Sequence, residues 1–366
     1  MQVVFHSNYI NHHQRPFVES LIENGCEVIF VAHEEISEER KALGYTTDVN
    51  GARYIQYDQD TADEVYRLTM DADVVIFGWK KKNLFRDRVR SGKLTFNYSE
   101  RLFKKSILAP YSPRLQLTLR KNYLFDRQNA PYLLCTGEFT AQDYRKLDYP
   151  NNKIYKWGYF PPITQMDAAK LREVKRENSI IWVGRFIDWK HPEYVVELAR
   201  FLKQNGVAFH IKMVGTGKLF SKIEKRIKRL GLSDCVELTG ALPPEQVREE
   251  FGHARIALLT SNRQEGWGAV CNEAMNGGCA MVAYYEIGSV SYLIRDGVSG
   301  MTYKNKKELF QKVQQLLEDR QLCDQMGTNA YHTIADLWNY RVAAKRFVEF
   351  VQDQTVTYAD GPLSKA

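Results

Sequence analysis

Short, almost wholly apolar runs bounded by turn-forming residues recur along the chain, and longer mixed stretches separate them. In the first half they fall at residues 3–5, 28–32, 74–77, 94–96 and 132–135, with a last short one at 154–156. In the second half they fall at 180–183, 211–214, 236–238, 256–259 and 280–283. Runs this short and uniformly apolar suit strands buried on both faces of a parallel sheet, and the stretches between them have room for crossover helices. The pattern predicts α/β order throughout. Between the halves, the sequence GYFPPI at 158–163 holds a Pro-Pro that fixes an extended, stiff path. It marks the predicted boundary between a first domain, 1–160, and a second, 161–335. A closing segment, 336–366, holds an amphipathic helix over 338–351 and a polar tail from Thr355, expected to be disordered. A chain of 366 residues exceeds what one core usually fills, which agrees with two domains.

Helix signals sharpen the picture at particular loops. Pro16 opens the first helix and Asn24-Gly25 stops it; Pro192 and Pro243-Pro244 open two more. The densest stretch is SNRQEGWGAVCNEAMNGGCAMVA, 261–283, where two apolar runs enclose a single helix. That helix is predicted to start near Trp267 and to end at Gly277-Gly278, where glycine takes the left-handed cap. Glu265, Gly266 and Gly268 precede it, leaving backbone amides open at a helix start, a site shaped for phosphate. Glu265 and Glu273 stand eight residues apart, the second about 10 Å along the axis. Two carboxylates so spaced hold opposite ends of one elongated ligand, and a nucleotide sugar has such ends.

The sequence EGWGAVCNEAMNGG resembles the signature of family 4 retaining glycosyltransferases, the kind found in bacterial surface polysaccharide synthesis. Further matches run in order over 179–303, whereas before residue 150 the likeness is at the level of the fold. The resemblance implies a GT-B architecture: two facing Rossmann-like domains, an active site in their cleft, and a final helix that returns to the first domain. It implies that Glu265 contacts the donor sugar and Glu273 the ribose. Arg185 and Lys190 match a pair of cations that neutralise the departing nucleoside diphosphate, aided by the amides of Gly266, Trp267, Gly268 and Ala269. Gly215 and Gly217 are placed to let a nucleoside approach the backbone, and the main chain of Leu242 to read the base. The implied donor is a nucleoside-diphosphate sugar, UDP first and GDP second. The implied acceptor is a hydroxyl of a glycan or a lipid-linked sugar, and no divalent metal or other cofactor is expected.

In the first domain the loop HSNYINHHQR, 6–15, lies where the family commonly has Gly-Gly. Asn11, His12 and His13 are therefore expected to contact acceptor or phosphate through side chains, and Glu100 to orient an acceptor hydroxyl. Asp71-Ala72-Asp73 has the spacing of a metal-binding pair, but the VVIF that follows makes it a turn from helix to strand. Residues 79–121 carry thirteen cations against two carboxylates, a balance of +11 where the whole chain has +7. Interleaved aromatics and leucines make the stretch a candidate for an anionic membrane surface. No apolar run approaches a membrane span and no secretory leader is visible. Six scattered cysteines read as reduced packing residues, so a cytoplasmic protein, peripheral on the inner face of the cell membrane, is expected. Two other activities suit the same fold: a sugar-nucleotide epimerase, and a nucleic-acid glucosyltransferase whose basic stretch would grip phosphates. A nucleic-acid partner is not expected.

Overall fold

The computed structural model of the chain describes residues 1–37, 47–106 and 108–366. Part of the segment after the second strand, and Ile107 within the basic stretch, lie outside the described residues. Two compact units are formed, one from Met1–Pro162 and Trp338–Ala366, the other from Ile163–Leu337.

The N-terminal unit runs β1 (Gln2–Ser7), α1 (Arg15–Glu23), β2 (Glu27–Ala32), β3 (Arg53–Gln56), α2 (Ala62–Asp71), β4 (Val74–Phe77), α3 (Lys82–Arg90), β5 (Thr95–Ser99), α4 (Pro113–Tyr123), β6 (Tyr132–Thr136), α5 (Glu138–Arg145) and β7 (Ile154–Trp157). Its seven-stranded sheet has the order β3-β2-β1-β4-β5-β6-β7, and every pairing is parallel. The C-terminal unit runs α6 (Ala168–Glu173), β8 (Ser179–Val183), α7 (Pro192–Gln204), β9 (His210–Val214), α8 (Phe220–Arg229), β10 (Val236–Gly240), α9 (Pro244–His253), β11 (Ile256–Leu259), α10 (Val270–Asn276), β12 (Ala280–Tyr284), α11 (Val290–Leu293), β13 (Gly300–Tyr303), α12 (Lys306–Glu318) and α13 (Arg320–His332). Its sheet, β10-β9-β8-β11-β12-β13, is also parallel. In both units the chain winds outward from the first strand and then returns to its other side. The strand order therefore reverses at β1/β4 and at β8/β11, and loops diverge there to open a crevice at the strands' carboxyl ends.

Two strands went unread in the sequence. β3 (RYIQ) buries only Ile55, and β13 begins on a glycine; both are four-residue strands at the edges of their sheets, too short to show a pattern. After α13 the chain re-enters the N-terminal unit, where α14 (Tyr340–Gln352) packs against α1 and the sheet. Phe347 meets Phe17 and Phe96 at ring distances of 5.9 and 4.9 Å, and Phe350 meets Tyr132 and Tyr155 at 5.1 and 5.0 Å.

The polar tail is not disordered. Leu363 N donates to Lys156 O (2.9 Å), Lys156 N to Ser364 O (2.8 Å) and Ala366 N to Ile154 O (3.3 Å), so the tail covers the open edge of β7, and the Leu363 side chain is fully buried. An uncovered edge presents unpaired amides and carbonyls, and satisfying them outweighs the tail's polar composition. All six cysteines are buried free thiols. Lys175 is a buried cation that the sequence did not mark: its ammonium donates to Phe251 O, Ala254 O and Gly277 O at 3.1, 2.6 and 2.6 Å. It ties the carboxyl ends of α9 and α10, where a cation suits the open carbonyls. Among the described residues no helix is long and apolar enough to cross a membrane.

Candidate active site

In the C-terminal unit the carboxyl ends of β8, β9 and β11 feed loops that are laced together by backbone. Gly184 N donates to Val214 O (3.0 Å), Phe186 N to Thr216 O (2.8 Å), and Leu219 N to Phe186 O (2.9 Å). This explains the glycines of the β9 loop differently from the sequence reading. A Cβ on Gly215 would stand 2.0 Å from Gly184 O, and one on Gly217 2.7 Å from Phe186 O, at φ of +127° and +147°. Their missing side chains admit the neighbouring loop; a nucleoside is not needed to account for them. Leu242, two residues beyond β10, is partly exposed.

The β8 and β11 loops are joined in the same way. Thr260 takes the Trp182 indole N–H on its hydroxyl (2.8 Å) and donates to Lys190 O (2.6 Å), while Asn262 N donates to Trp189 O (2.9 Å). This lacing brings Lys190 Nζ onto the Glu265 carboxylate as an ion pair, with the two side chains only 13% and 16% exposed. Arg185, expected to converge with Lys190, is instead exposed, its guanidinium 5.5 Å from the centre of the Trp189 ring. Lys218, which the sequence reading passed over, pairs with Asp188 across the β8 and β9 loops.

The helix after Glu265 begins at Val270, three residues later than the sequence suggested, with Ala269 as its N-cap. Trp267 is a core residue. Its ring is 1% exposed and its indole N–H donates to Asn272 Oδ1 at 2.7 Å, so only its main chain can face a ligand. Ser289 N donates to Trp267 O (3.0 Å), which fixes that main chain. Gly268 holds φ +82°, and an added Cβ would crowd Ile287 and Glu265 at 3.2 and 3.3 Å. The amides of Gly266, Gly268 and Ala269 meet no acceptor among the described residues. Glu273, one turn into α10, is only partly exposed, and burial pushes its pKa up to about 7 against the opposing pull of Arg248. Arg248 on α9 is a second cation that the sequence reading missed, because nothing in its helix distinguishes it from a surface residue.

In the N-terminal unit the carboxyl ends of β1, β5 and β7 gather three of the expected residues. His13 stacks on Tyr159 (5.4 Å, 15°) and lies 3.7 Å from the His12 ring centre; burial, then His12, hold its pKa well below 6.5. Tyr159 in turn donates to Glu100, which also pairs with Lys104. Tyr159, invisible in the sequence as a site residue, joins the β1 loop to the β5 loop. Asn11 has a local duty: its side chain accepts from His13 N and Gln14 N at 3.0 and 3.1 Å and so shapes the entry to α1. Asp73 accepts from Gln2 N at 2.7 Å, at the amino end of β1 and thus at the opposite edge of the sheet from these loops. The basic stretch is only partly a surface. Arg88 is buried and donates to the carbonyls of Thr69, Met70 and Leu94, and Lys80 lies 3.9 Å from the Tyr123 ring centre.

Residues 164–333 match the family model described as glycosyl transferases group 1. Among curated relatives, the alpha-D-kanosaminyltransferase of Streptomyces kanamyceticus is 28% identical over 215 residues, 56% of this chain and 55% of that protein. The amylovoran biosynthesis glycosyltransferase AmsK of Erwinia amylovora is 32% identical over 137 residues, 36% of this chain and 33% of that one. The matches thus span about half or less of the relatives' lengths. The crystal structure of Anabaena HepE in complex with UDP superposes with a TM-score of 0.70 at 13% identity, covering 96% of this chain and all of that one. Staphylococcus aureus TarM does so equally well, at 10% identity over 96% and 99%. The fold is GT-B, as expected.

Proposed function

Since its C-terminal unit belongs, through residues 164–333, to the glycosyl transferases group 1 family, we propose that the chain is a retaining glycosyltransferase. It moves a sugar from a nucleoside-diphosphate sugar, UDP before GDP, to a hydroxyl of a glycan or lipid-linked acceptor in cell-surface polysaccharide synthesis. The observation that carries this reading is the Lys190–Glu265 pair, held by interlaced loops beside the amides of Gly266, Gly268 and Ala269, which meet no acceptor among the described residues. The names of relatives from colanic acid and amylovoran biosynthesis support the substrate class, and UDP in the Anabaena structure supports the first-choice donor.

In the reaction the bond from the sugar's C1 to the diphosphate oxygen breaks and its electron pair stays on that oxygen. The acceptor oxygen bonds to C1, and its proton passes to the departing phosphate. Negative charge therefore develops on the diphosphate. Lys190, moving from Glu265 to phosphate, and the amides of Gly266, Gly268 and Ala269 stabilise that charge where it appears. Arg185 reaches the same group by swinging off Trp189. Glu265, freed from Lys190, accepts from donor-sugar hydroxyls, while Glu273 accepts from the ribose. These cations take the place a divalent ion holds in other transferases. Lys190→Ala is expected to lower turnover by a few kcal/mol in barrier with donor affinity less affected, and EDTA to leave the rate unchanged. Wild-type turnover in the variant, or loss of activity in EDTA, defeats the mechanism.

The finer placement at an anionic membrane surface rests on α4. That helix has no buried residue, and Leu108, Tyr111 and Leu117, just before it and on it, are 75%, 76% and 56% exposed. Arg114, Leu117, Thr118 and Lys121 share one face at helical spacing, and residues 104–121 hold five cations and no carboxylate.

A further inference from the structure

At the carboxyl edge of the N-terminal sheet, residues that the donor site does not use form a chain of hydrogen bonds. His6, in β1, is fully buried, with its ring stacked on Phe77 (4.7 Å, 6°). Its Nε2 lies 3.0 Å from Thr69 Oγ1, and its Nδ1 lies 3.0 Å from Nε2 of His33, the residue after β2. The Thr69 hydroxyl also lies 2.6 Å from Val65 O. A carbonyl only accepts, so the hydroxyl's one proton is committed to Val65 and its oxygen must accept from His6. His6 therefore carries its proton on Nε2, its Nδ1 is an acceptor, and His33 must donate from Nε2. In a neutral His33 the remaining nitrogen, Nδ1, is a bare acceptor, and it has no partner among the described residues. Both rings are neutral: burial, then His33, hold His6 well below its ordinary pKa, and burial, then Lys81, bring His33 down to about 4.

The surroundings of that nitrogen are aromatic. His33 stacks on Tyr57 (4.8 Å, 27°), and its other neighbour is Trp79, with ring centres 6.4 Å apart. Trp79 is 40% exposed although its own amide is tied to His6 O at 3.1 Å. A large indole held at the surface, beside a hydrogen-bond acceptor whose tautomer is set from within the core, suits a ligand with an apolar face and a hydroxyl edge. We propose that Trp79 and His33 form a pyranose subsite on the N-terminal unit. Trp79 covers the C–H face of the ring, His33 Nδ1 accepts from one of its hydroxyls, and His6 and Thr69 act as positioning residues. The proposal rests on the glycosyltransferase reading and deepens it, by naming a six-membered sugar ring as the part of the acceptor that is held.

The test uses the full chain, with methyl glucopyranosides and methyl galactopyranosides as probes. Long-range proton–nitrogen spectra of the wild type should show both histidines protonated at Nε2, and a glycoside should shift the His33 Nδ1 resonance and the Trp79 fluorescence together. An Nδ1–H tautomer at His33, or a resonance and a fluorescence that no glycoside moves, overturns the subsite. With a glycoside as acceptor, Trp79→Ala and His33→Phe should raise its KM about tenfold and leave the donor KM unchanged. Thr69→Val should act in the same direction and redistribute the tautomers. Equal acceptor KM values in wild type and variants also overturn the subsite. If UDP and GDP stabilise all forms alike while the glycoside results fail, only the subsite is lost; if neither binds any form, the glycosyltransferase reading itself fails.

Discussion

Glu273→Gln removes a charge without changing the side chain's shape, and its effect on the protein alone can be worked from the carboxyl's surroundings. Burial raises the folded-state pKa to about 7 from an ordinary 4.5. At 1.36 kcal/mol per unit the difference amounts to about 3 kcal/mol, and partial exposure makes that an upper figure. The sign follows from proton uptake. Between pH 4.5 and 7 the folded state holds a proton that the unfolded chain has released, so stability conferred by the neutral acid is complete below 4.5. It is lost as pH rises through 7. Glutamine does not titrate and avoids the loss. Scanning calorimetry at pH 5, 6, 7 and 8 should therefore find the variant close to wild type at the acid end. At pH 8 its Tm should lie several degrees higher, since about 1 kcal/mol moves the Tm of a unit this size by about 2–4 °C. Nucleotide binding should change the other way, weakening because an amide accepts less well from a ribose. A stabilised variant that binds donor poorly is what a carboxylate kept for function produces. Tm curves that run parallel from pH 5 to 8 would show that Glu273 does not titrate differently in the folded and unfolded states.

Gly215→Ala should cost more than 1 kcal/mol and disturb the donor loops, because its Cβ lands on the Gly184 carbonyl at a φ reserved for glycine; an unchanged Tm and donor KM would show that the loops yield freely. Leu363→Ala should lower stability by about 2–5 kcal/mol and raise amide exchange at Lys156, whose N–H donates to Ser364 O, and unaltered exchange there would mean the tail does not guard the β7 edge. Sedimentation with vesicles of anionic lipid should retain the wild type and release it in high salt, since each cation near the surface contributes about 1 kcal/mol. Lys105→Glu, Arg114→Glu and Lys121→Glu together should abolish retention; equal partitioning onto neutral vesicles, or by the charge-reversed variant, defeats the membrane placement.

The order of strands and helices was legible because parallel strands buried on both faces leave uninterrupted apolar runs, and Pro16, Pro192 and Pro244 open helices where expected. Edge strands β3 and β13 escaped because each is only four residues long, β3 with a single buried position and β13 opening on a glycine. The Glu265 and Glu273 spacing was readable, but the company each keeps was not. Lys190 meets Glu265 only because Thr260 and Asn262 lace two loops that are seventy residues apart in sequence. Packing was also illegible from residue type alone: the Trp267 ring is core although its main chain was the part singled out, Gly215 and Gly217 admit the neighbouring loop, and Arg88, counted among the cations of the basic stretch, is buried. The His6–His33–Thr69 chain has no sequence signal at all, since its members come from β1, the end of β2 and α2.

In the proposed donor site the C-terminal unit holds a nucleoside diphosphate between Glu273 and the Lys190–Glu265 pair. The most direct test is the melting temperature of the wild type, Glu265→Ala and Glu273→Ala proteins with UDP, GDP and ADP at saturating concentration. UDP or GDP should stabilise the wild type by about 2.7 kcal/mol at one hundred times its dissociation constant. Glu265→Ala should keep that shift and Glu273→Ala should lose most of it. No shift with any of the three nucleotides, or an equal loss in both variants, rules out a nucleoside diphosphate held in this way.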